Sequence, residues 1–151
     1  MPEHAKLREA QNLLFFAYRD FTAAADLVLA ELGLGRAHHR ALHFIGRTPG
    51  MPVTDLLGIL RITKQSLARV LGDLLERDYV AQAPGQGDRR QRLLRLTESG
   101  MALEQRLFET QCARLAPAYA VASPVALDGF RQVMRAIMDQ AARDYMDGPK
   151  G

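Results

Sequence analysis

The side chains best suited to chemistry cluster between Thr63 and Arg69. Thr63, Lys64, Gln65, Ser66 and Arg69 fall close together, with Ala68 and Asp73 beside them. They lie opposite an apolar stripe of Leu67, Val70, Leu71, Leu74 and Leu75, the i, i+3, i+4, i+7, i+8 spacing of an amphipathic helix. A glutamine amide can pair bidentately with adenine, and a guanidinium with the O6/N7 edge of guanine. Hydroxyls can serve bases or phosphates. A helix N-terminus adds free N–H groups and the positive end of a dipole, both of which attract phosphate. The same residues also suit an ordinary solvated face, and this helix alone leaves both readings open.

A second basic group follows. Asp88-Arg89-Arg90 sits beside Gly85 and Gly87, with Arg92 and Arg95 after it. Tyr79–Ala83 reads as a strand, Pro84–Asp88 as a turn and Gln91–Leu96 as the returning strand, although Leu93-Leu94 interrupts the alternation. Arginines on a thin hairpin can enter a narrow minor groove, where the negative potential is enhanced. Asp88 would repel phosphate, so its expected role is to pair with a nearby arginine and set its direction. A basic hairpin can equally be no more than soluble surface, but its position after the amphipathic helix favours nucleic acid.

The elements that must carry these residues can be read from pattern. Thr63 is a good N-cap for a helix running to about Arg77. Before it, Val53–Leu60 forms a short helix with Leu56, Leu57 and Leu60 inward, joined through Arg61 and Ile62. Two short helices across a tight turn describe a helix-turn-helix, and the hairpin makes it winged. An earlier helix spans Arg36–Arg47, with Ala37, Leu42 and Ile45 inward, and Pro49, Gly50 and Pro52 mark a turn. At the N-terminus Leu7, Ala10, Leu14, Ala17, Phe21, Ala24 and Val28 form a heptad-like seam that Gly33 and Gly35 end. Thr97 caps a further helix whose buried side is expected to hold Met101, Leu107, Phe108 and Leu115, with Pro117 bending or ending it. Ser123-Pro124 starts a last helix with Leu127, Phe130, Met134, Ile137 and Ala141 along one face.

The expected fold is mainly α with a small β-hairpin wing. A winged helix-turn-helix core (36–97) lies between an N-terminal dimerisation helix (1–35) and C-terminal dimerisation helices (98–151). The dimerisation reading is physical: a core of about sixty residues is too small to cover both flanking apolar faces. A two-fold dimer would bury them and set two recognition helices about 34 Å apart, which implies a pseudo-palindromic target. Gly72, inside the recognition helix, costs about 1 kcal/mol relative to Ala; close approach of another element and simple tolerance both fit.

The chain has 151 residues and a formal net charge of +3. Eight Lys/Arg against four Asp/Glu fall between Arg61 and Arg95, so the positive charge is concentrated there. One cysteine, Cys112, excludes an intrachain disulfide and fits a reducing compartment. No signal-peptide pattern and no bilayer-length apolar run is visible, so a soluble cytoplasmic protein is expected. No phosphate-binding glycine loop, His-Glu-x-x-His motif or nucleophile constellation is present, so neither enzyme activity nor a cofactor is expected.

The run Ile62-Thr63-Lys64-Gln65-Ser66, continuing to Leu75-Glu76-Arg77-Asp78-Tyr79-Val80, resembles the MarR family of bacterial regulators. So does Asp88-Arg89-Arg90 followed by Leu96-Thr97-Glu98-Ser99-Gly100, and the order of elements matches over nearly the whole chain. The resemblance implies a homodimer formed by intertwined terminal helices, with double-stranded DNA as partner. It implies that Thr63, Gln65, Ser66 and Arg69 face the major groove, and that Arg90 enters the minor groove braced by Asp88, beside Arg89 and Arg92.

It also implies a small effector, since members respond to aromatic or phenolic ligands, metals or oxidants. Arg36, His38, His39 and Arg40 are the candidates to hold an aromatic or anionic ligand. His39 and His43 lie one helical turn apart and invite a metal reading. No carboxylate or cysteine is near them in sequence, and Arg36 and Arg40 oppose a cation, so no metal is assigned. Peroxide-sensing members carry a cysteine in the first helix, which this chain lacks, so Cys112 is expected to be an inert half-buried thiol. The function expected is a sequence-specific transcriptional regulator, a repressor released or modulated by its effector. A winged-helix protein-interaction module and a metal- or redox-responsive regulator are the alternatives.

Overall fold

In the computed structural model, which describes residues 2–148, the apolar stripe at the centre of the chain is buried as its spacing requires. Leu67, Val70, Leu71 and Leu74 of α4 (Lys64–Glu76) join one core with Leu56 and Leu60 of α3 (Val53–Leu60) and Ala41, Leu42 and Ile45 of α2 (Arg36–Arg47). Ala25, Val28 and Leu29, near the end of α1 (Pro2–Glu31), complete that core from the N-terminal side. Leu75 and Leu57 are half-buried at its margin. Gly72 has open space around it, and no element among the described residues approaches it closely.

The sheet has one strand more than the sequence pattern suggested. Besides the hairpin β2 (Val80–Pro84) and β3 (Arg92–Leu96), Met51 and Pro52 form β1, and the antiparallel order is β1-β3-β2. Met51 pairs with Leu94 and Pro52 with Leu93. Proline is tolerated because β1 is an edge strand whose outer side needs no donor. The third strand also accounts for the broken alternation at Leu93-Leu94. Leu94 is fully buried, whereas Leu93 on the opposite face lies between Pro52 and Ala83.

The passage from α4 into the hairpin is a Schellman-type cap. The Tyr79 amide donates to the Leu74 carbonyl at 2.9 Å and the Asp78 amide to Leu75 at 3.1 Å. Asp78 occupies the left-handed region (φ 60°), where glycine is usual and aspartate is among the better-tolerated alternatives. Its carbonyl accepts from Thr97 Oγ1 and, at 2.8 Å, from Ser99 Oγ. Thr97 Oγ1 in turn accepts the Gly100 amide at 3.0 Å, capping α5 (Glu98–Val121). Gly100 packs so tightly that an added Cβ would overlap the Tyr79 carbonyl oxygen.

α5 is rotated relative to expectation. Gly100, Leu103, Glu104 and Leu107 are its buried residues, while Met101, Phe108 and Leu115 are exposed. The contact of Gly100 with Tyr79 fixes that rotation, and only Leu107 of the expected set turns inward. Pro117 lies inside the helix and does not end it. The chain divides into two compact units between Ala113 and Arg114, and Ala113 is the residue whose carbonyl Pro117 cannot bond.

In the second unit the expected single last helix is two. Ser123 Oγ caps α6 (Pro124–Ile137) by accepting the Ala126 amide at 3.1 Å. Met138 is extended, and Asp139 restarts the chain by capping α7 (Gln140–Asp147) through the Ala142 amide at 2.9 Å. Neither helix buries a residue within the chain: Leu127 and Met134 are half-buried, and Phe130, Ile137 and Ala141 are exposed.

Gly100→Ala and Gly72→Ala should shift stability in opposite directions. The first forces the α4–α5 junction apart and should cost about 3 kcal/mol, the upper part of the overpacking range. The second relieves a helix-interior glycine and should gain up to about 1 kcal/mol. Urea unfolding of both variants at one fixed protein concentration checks this.

Candidate nucleic-acid interface

Thr63 begins α4 as the sequence suggests. Its Oγ1 accepts the Ser66 amide at 3.0 Å and donates to Ser66 Oγ at 2.9 Å, so the two hydroxyls are tied to each other. Thr63, Lys64, Gln65, Ala68 and Arg69 are exposed and Ser66 is half-buried. The first turn carries no acidic residue. Helix geometry leaves the Lys64 and Gln65 amides without an intrahelical acceptor. A lysine at this end opposes the helix dipole and slightly weakens the helix, yet adds to its attraction for an anion.

At the wing tip the Gln91 amide donates to the Asp88 carbonyl at 3.1 Å and the Gly85 amide to the Gln91 carbonyl at 2.8 Å. An added Cβ at Gly85 would press on the Asp88 carbonyl oxygen, so the tip requires glycine there. The Asp88 carboxylate accepts the backbone amide of Arg90 at 3.0 Å. It therefore fixes Arg90 through an Asx turn of the main chain, and not by the guanidinium pairing anticipated. Arg89, Arg90 and Arg92 are exposed, and none has a carboxylate partner among the described residues.

The four residues considered for an effector separate into two groups. Arg36 holds α2 against α1: its guanidinium contacts Asp26 at 2.9 and 3.2 Å, reaches Thr22 Oγ1 at 3.4 Å and lies 5.5 Å over the Tyr18 ring. His38 Nδ1 accepts the Gly35 amide at 3.0 Å, and Nε2 lies 2.9 Å from Asp73 of α4. Both are engaged within the chain, and Asp73 belongs to that internal contact more than to the exposed face of α4. Arg40 is exposed without an ion pair among the described residues, and His39 is half-buried. Cys112 is half-buried. Among the described residues no group of three His, Cys, Asp or Glu side chains is placed to hold a metal ion.

Sequence reasoning missed the links between distant segments. Arg77, after the end of α4, donates to the Leu32 carbonyl that follows α1. Glu104 is nearly buried, with Arg47 at 3.6 Å. No periodicity marks such pairs, since each depends on how two helices cross.

With this geometry in place, comparison with known proteins is informative. The MarR family model matches residues 32–91, from the end of α1 through the wing tip. The HTH-type transcriptional regulator PetP of Rhodobacter capsulatus is 50% identical over 140 residues, covering 93% of this chain and 84% of that protein. The chain belongs to the MarR family. Its members are transcriptional regulators, not enzymes. A crystallised MarR-family transcription regulator superposes with a TM-score of 0.74 at 22% identity, over 96% of this chain and 93% of the other. FabT of Streptococcus pneumoniae, solved in complex with DNA, gives 0.75 at 14% identity, over 87% and 94%. At such identities these two speak to the fold, and the fold is the MarR winged helix. No helix among the described residues is long and apolar enough to cross a membrane.

Two histidines of this MarR-family chain are held below their ordinary pKa of 6.5. For His39 burial is the main cause, aided by neighbouring His43 and opposed by Asp26. For His43, whose ring lies edge-on to Phe44 at 4.9 Å, burial again leads, with Arg47 aiding and Glu104 opposing. A depressed histidine pKa favours the neutral form in the folded state. The stability it contributes is present above pH 6.5 and is lost as pH falls through the folded value. The melting temperature should therefore drop between pH 7.5 and pH 5, and His39→Gln should flatten that drop. Parallel melts of the two proteins across this range are the check, and equal slopes would count against it.

Proposed function

We propose that this protein is a homodimeric, sequence-specific regulator that reads double-stranded DNA with α4 and the wing and represses by occupying a pseudo-palindromic operator. The observation that carries the reading is the pairing of two exposed basic surfaces on rigid supports. Lys64, Gln65 and Arg69 project from the start of α4, and Arg89, Arg90 and Arg92 from a wing tip that Asp88 orders. No carboxylate neutralises the three wing guanidiniums among the described residues, so they are free to meet phosphate or the narrow minor groove. Gln65 and Arg69 have the donors and acceptors that read base edges, while Thr63 and Ser66, tied to each other, suit phosphate. The known DNA complex of FabT supports the same use of the shared fold.

Dimerisation is supported by apolar surface that the single chain leaves open. Leu7, Leu13, Leu14, Phe15 and Phe16 on α1 are all exposed, and Met101, Phe108 and Leu115 repeat at heptad spacing on α5. Large apolar side chains exposed in such number along two helices suit an interaction surface. In this reading residues 1–35 and 98–151 make the dimer and 36–97 read the DNA. An effector would act by preferring one of two dimer arrangements, and its effect is bounded by that preference. With Arg36 and His38 engaged inside the chain, His39 and Arg40 are the effector candidates that stay available.

Selection of duplexes from a random pool, followed by fluorescence anisotropy across salt concentrations, tests the DNA reading. Arg69→Ala should weaken the selected duplex by about 1–3 kcal/mol and relax preference at one base pair. Arg90→Ala should weaken binding and lower the salt slope by about one unit. Weak binding indifferent to sequence, unaltered by either change, would instead favour a protein-contact role for the wing. Leu14→Asp should shift the chain from dimer to monomer in sedimentation velocity, and a wild-type monomer would refute the assembly.

A further inference from the structure

The packed core sets the angle at which α4 crosses its neighbours, but hydrophobic contact is itself non-directional and resists a small roll of the helix about its own axis least. Leu67, Val70, Leu71 and Leu74 would stay buried through a modest roll of the helix about its own axis. A roll of about 20° would nonetheless move a tip about 5.5 Å from the axis by about 2 Å, enough to break a hydrogen bond to a base edge. A directional contact sets the roll more sharply than apolar packing alone.

Two polar contacts do so, one on the C-terminal half of α4 and one at the residue that follows its end. His38 of α2 meets Asp73 with Nε2 to carboxylate at 2.9 Å. The Gly35 amide donates to His38 Nδ1 at 3.0 Å, so the neutral ring carries its proton on Nε2 and presents it to Asp73. One turn on, Arg77 donates to the Leu32 carbonyl. A third contact closes the circuit, since Arg36, two residues before His38, grips Asp26 of α1 at 2.9 Å. The path runs from α1 to α2 to α4 and back to the end of α1. It touches none of Lys64, Gln65 and Arg69, the exposed side chains of the reading face.

We propose that His38 is a positioning residue for DNA reading: through Asp73 it pins the roll of α4, so that the direction of Gln65 and Arg69 is referred to α1. This rests on the DNA-reading role given to α4 above. It also makes α1 more than a dimerisation element, because a shift at its C-terminal end would be passed to α4 through Arg36 and Arg77.

The test compares Asp73→Ala with Asp73→Asn in the full-length protein. Both remove the same negative charge, but asparagine keeps an acceptor for His38 Nε2–H, so the pair isolates the hydrogen bond from electrostatics. Asp73→Ala should reduce the ratio of affinities for the selected and scrambled duplexes about tenfold, with binding to the scrambled duplex no weaker. Asp73→Asn should keep that ratio within about twofold of wild type. His38→Ala combined with Asp73→Ala should be no worse than Asp73→Ala alone. Without DNA, amide hydrogen exchange over 64–71 should rise in Asp73→Ala and not in Asp73→Asn. A selective wild type whose Ala and Asn variants behave alike overturns the pin while leaving the DNA reading intact. A wild type that does not discriminate between duplexes overturns the DNA reading, and the role of His38 in it.

Discussion

The contact between Gly100 and the Tyr79 carbonyl is the constraint on which the arrangement of α4, the wing and α5 depends. It lies where the chain leaves α4, goes out along the wing and returns to begin α5. Asp78 in the left-handed region ends α4, and its carbonyl receives the hydroxyls of Thr97 and Ser99. The wing is thus clamped at its base by the same residues that stop one helix and start the next. Any slip there would displace the wing tip relative to α4. Without a Cβ at residue 100, two main-chain segments approach closely enough for the hydroxyl bonds to form.

That junction also decides which side of α5 faces the core. With Gly100 against Tyr79, Leu103, Glu104 and Leu107 turn inward and Met101, Phe108 and Leu115 turn out. A local backbone contact thus selects which apolar side chains of α5 stay exposed. Glu104 illustrates the same consequence at a polar residue. It is buried because the rotation of α5 carries it there, beside Arg47 at 3.6 Å.

The charges divide by role in a way their types do not reveal. Arg36, Arg77, His38 and Asp73 bind segments of the chain to each other, whereas Arg69, Arg89, Arg90 and Arg92 are exposed without ion pairs among the described residues. Arg77 shares its residue type with Arg69 and lies eight positions from it, yet the two fall in different groups. Among the described residues only the second group keeps its charge unpaired, and such charge is what a polyanion would meet.

Much of the fold was legible because it is written in local periodicity and local capping. The stripe from Leu67 to Leu75, the cap at Thr63, the hairpin signal around Gly85 and Gly87, and the Ser123-Pro124 start each depend on residues a few positions apart. The family resemblance rests on such runs too. Asp139 carried a cap signal of the same kind, but the apolar spacing through Ala141 masked it, and the last helix proved to be two. The tertiary structure alone decided the third strand at Met51-Pro52, the rotation of α5 and the partners of Arg36, His38 and Arg77. Those contacts join residues 10, 35 and 45 positions apart, and they form only after the core has set the angle between helices. Sequence spacing specifies which face of a helix is buried, but not what lies opposite that face; for that the other helices must already be in place.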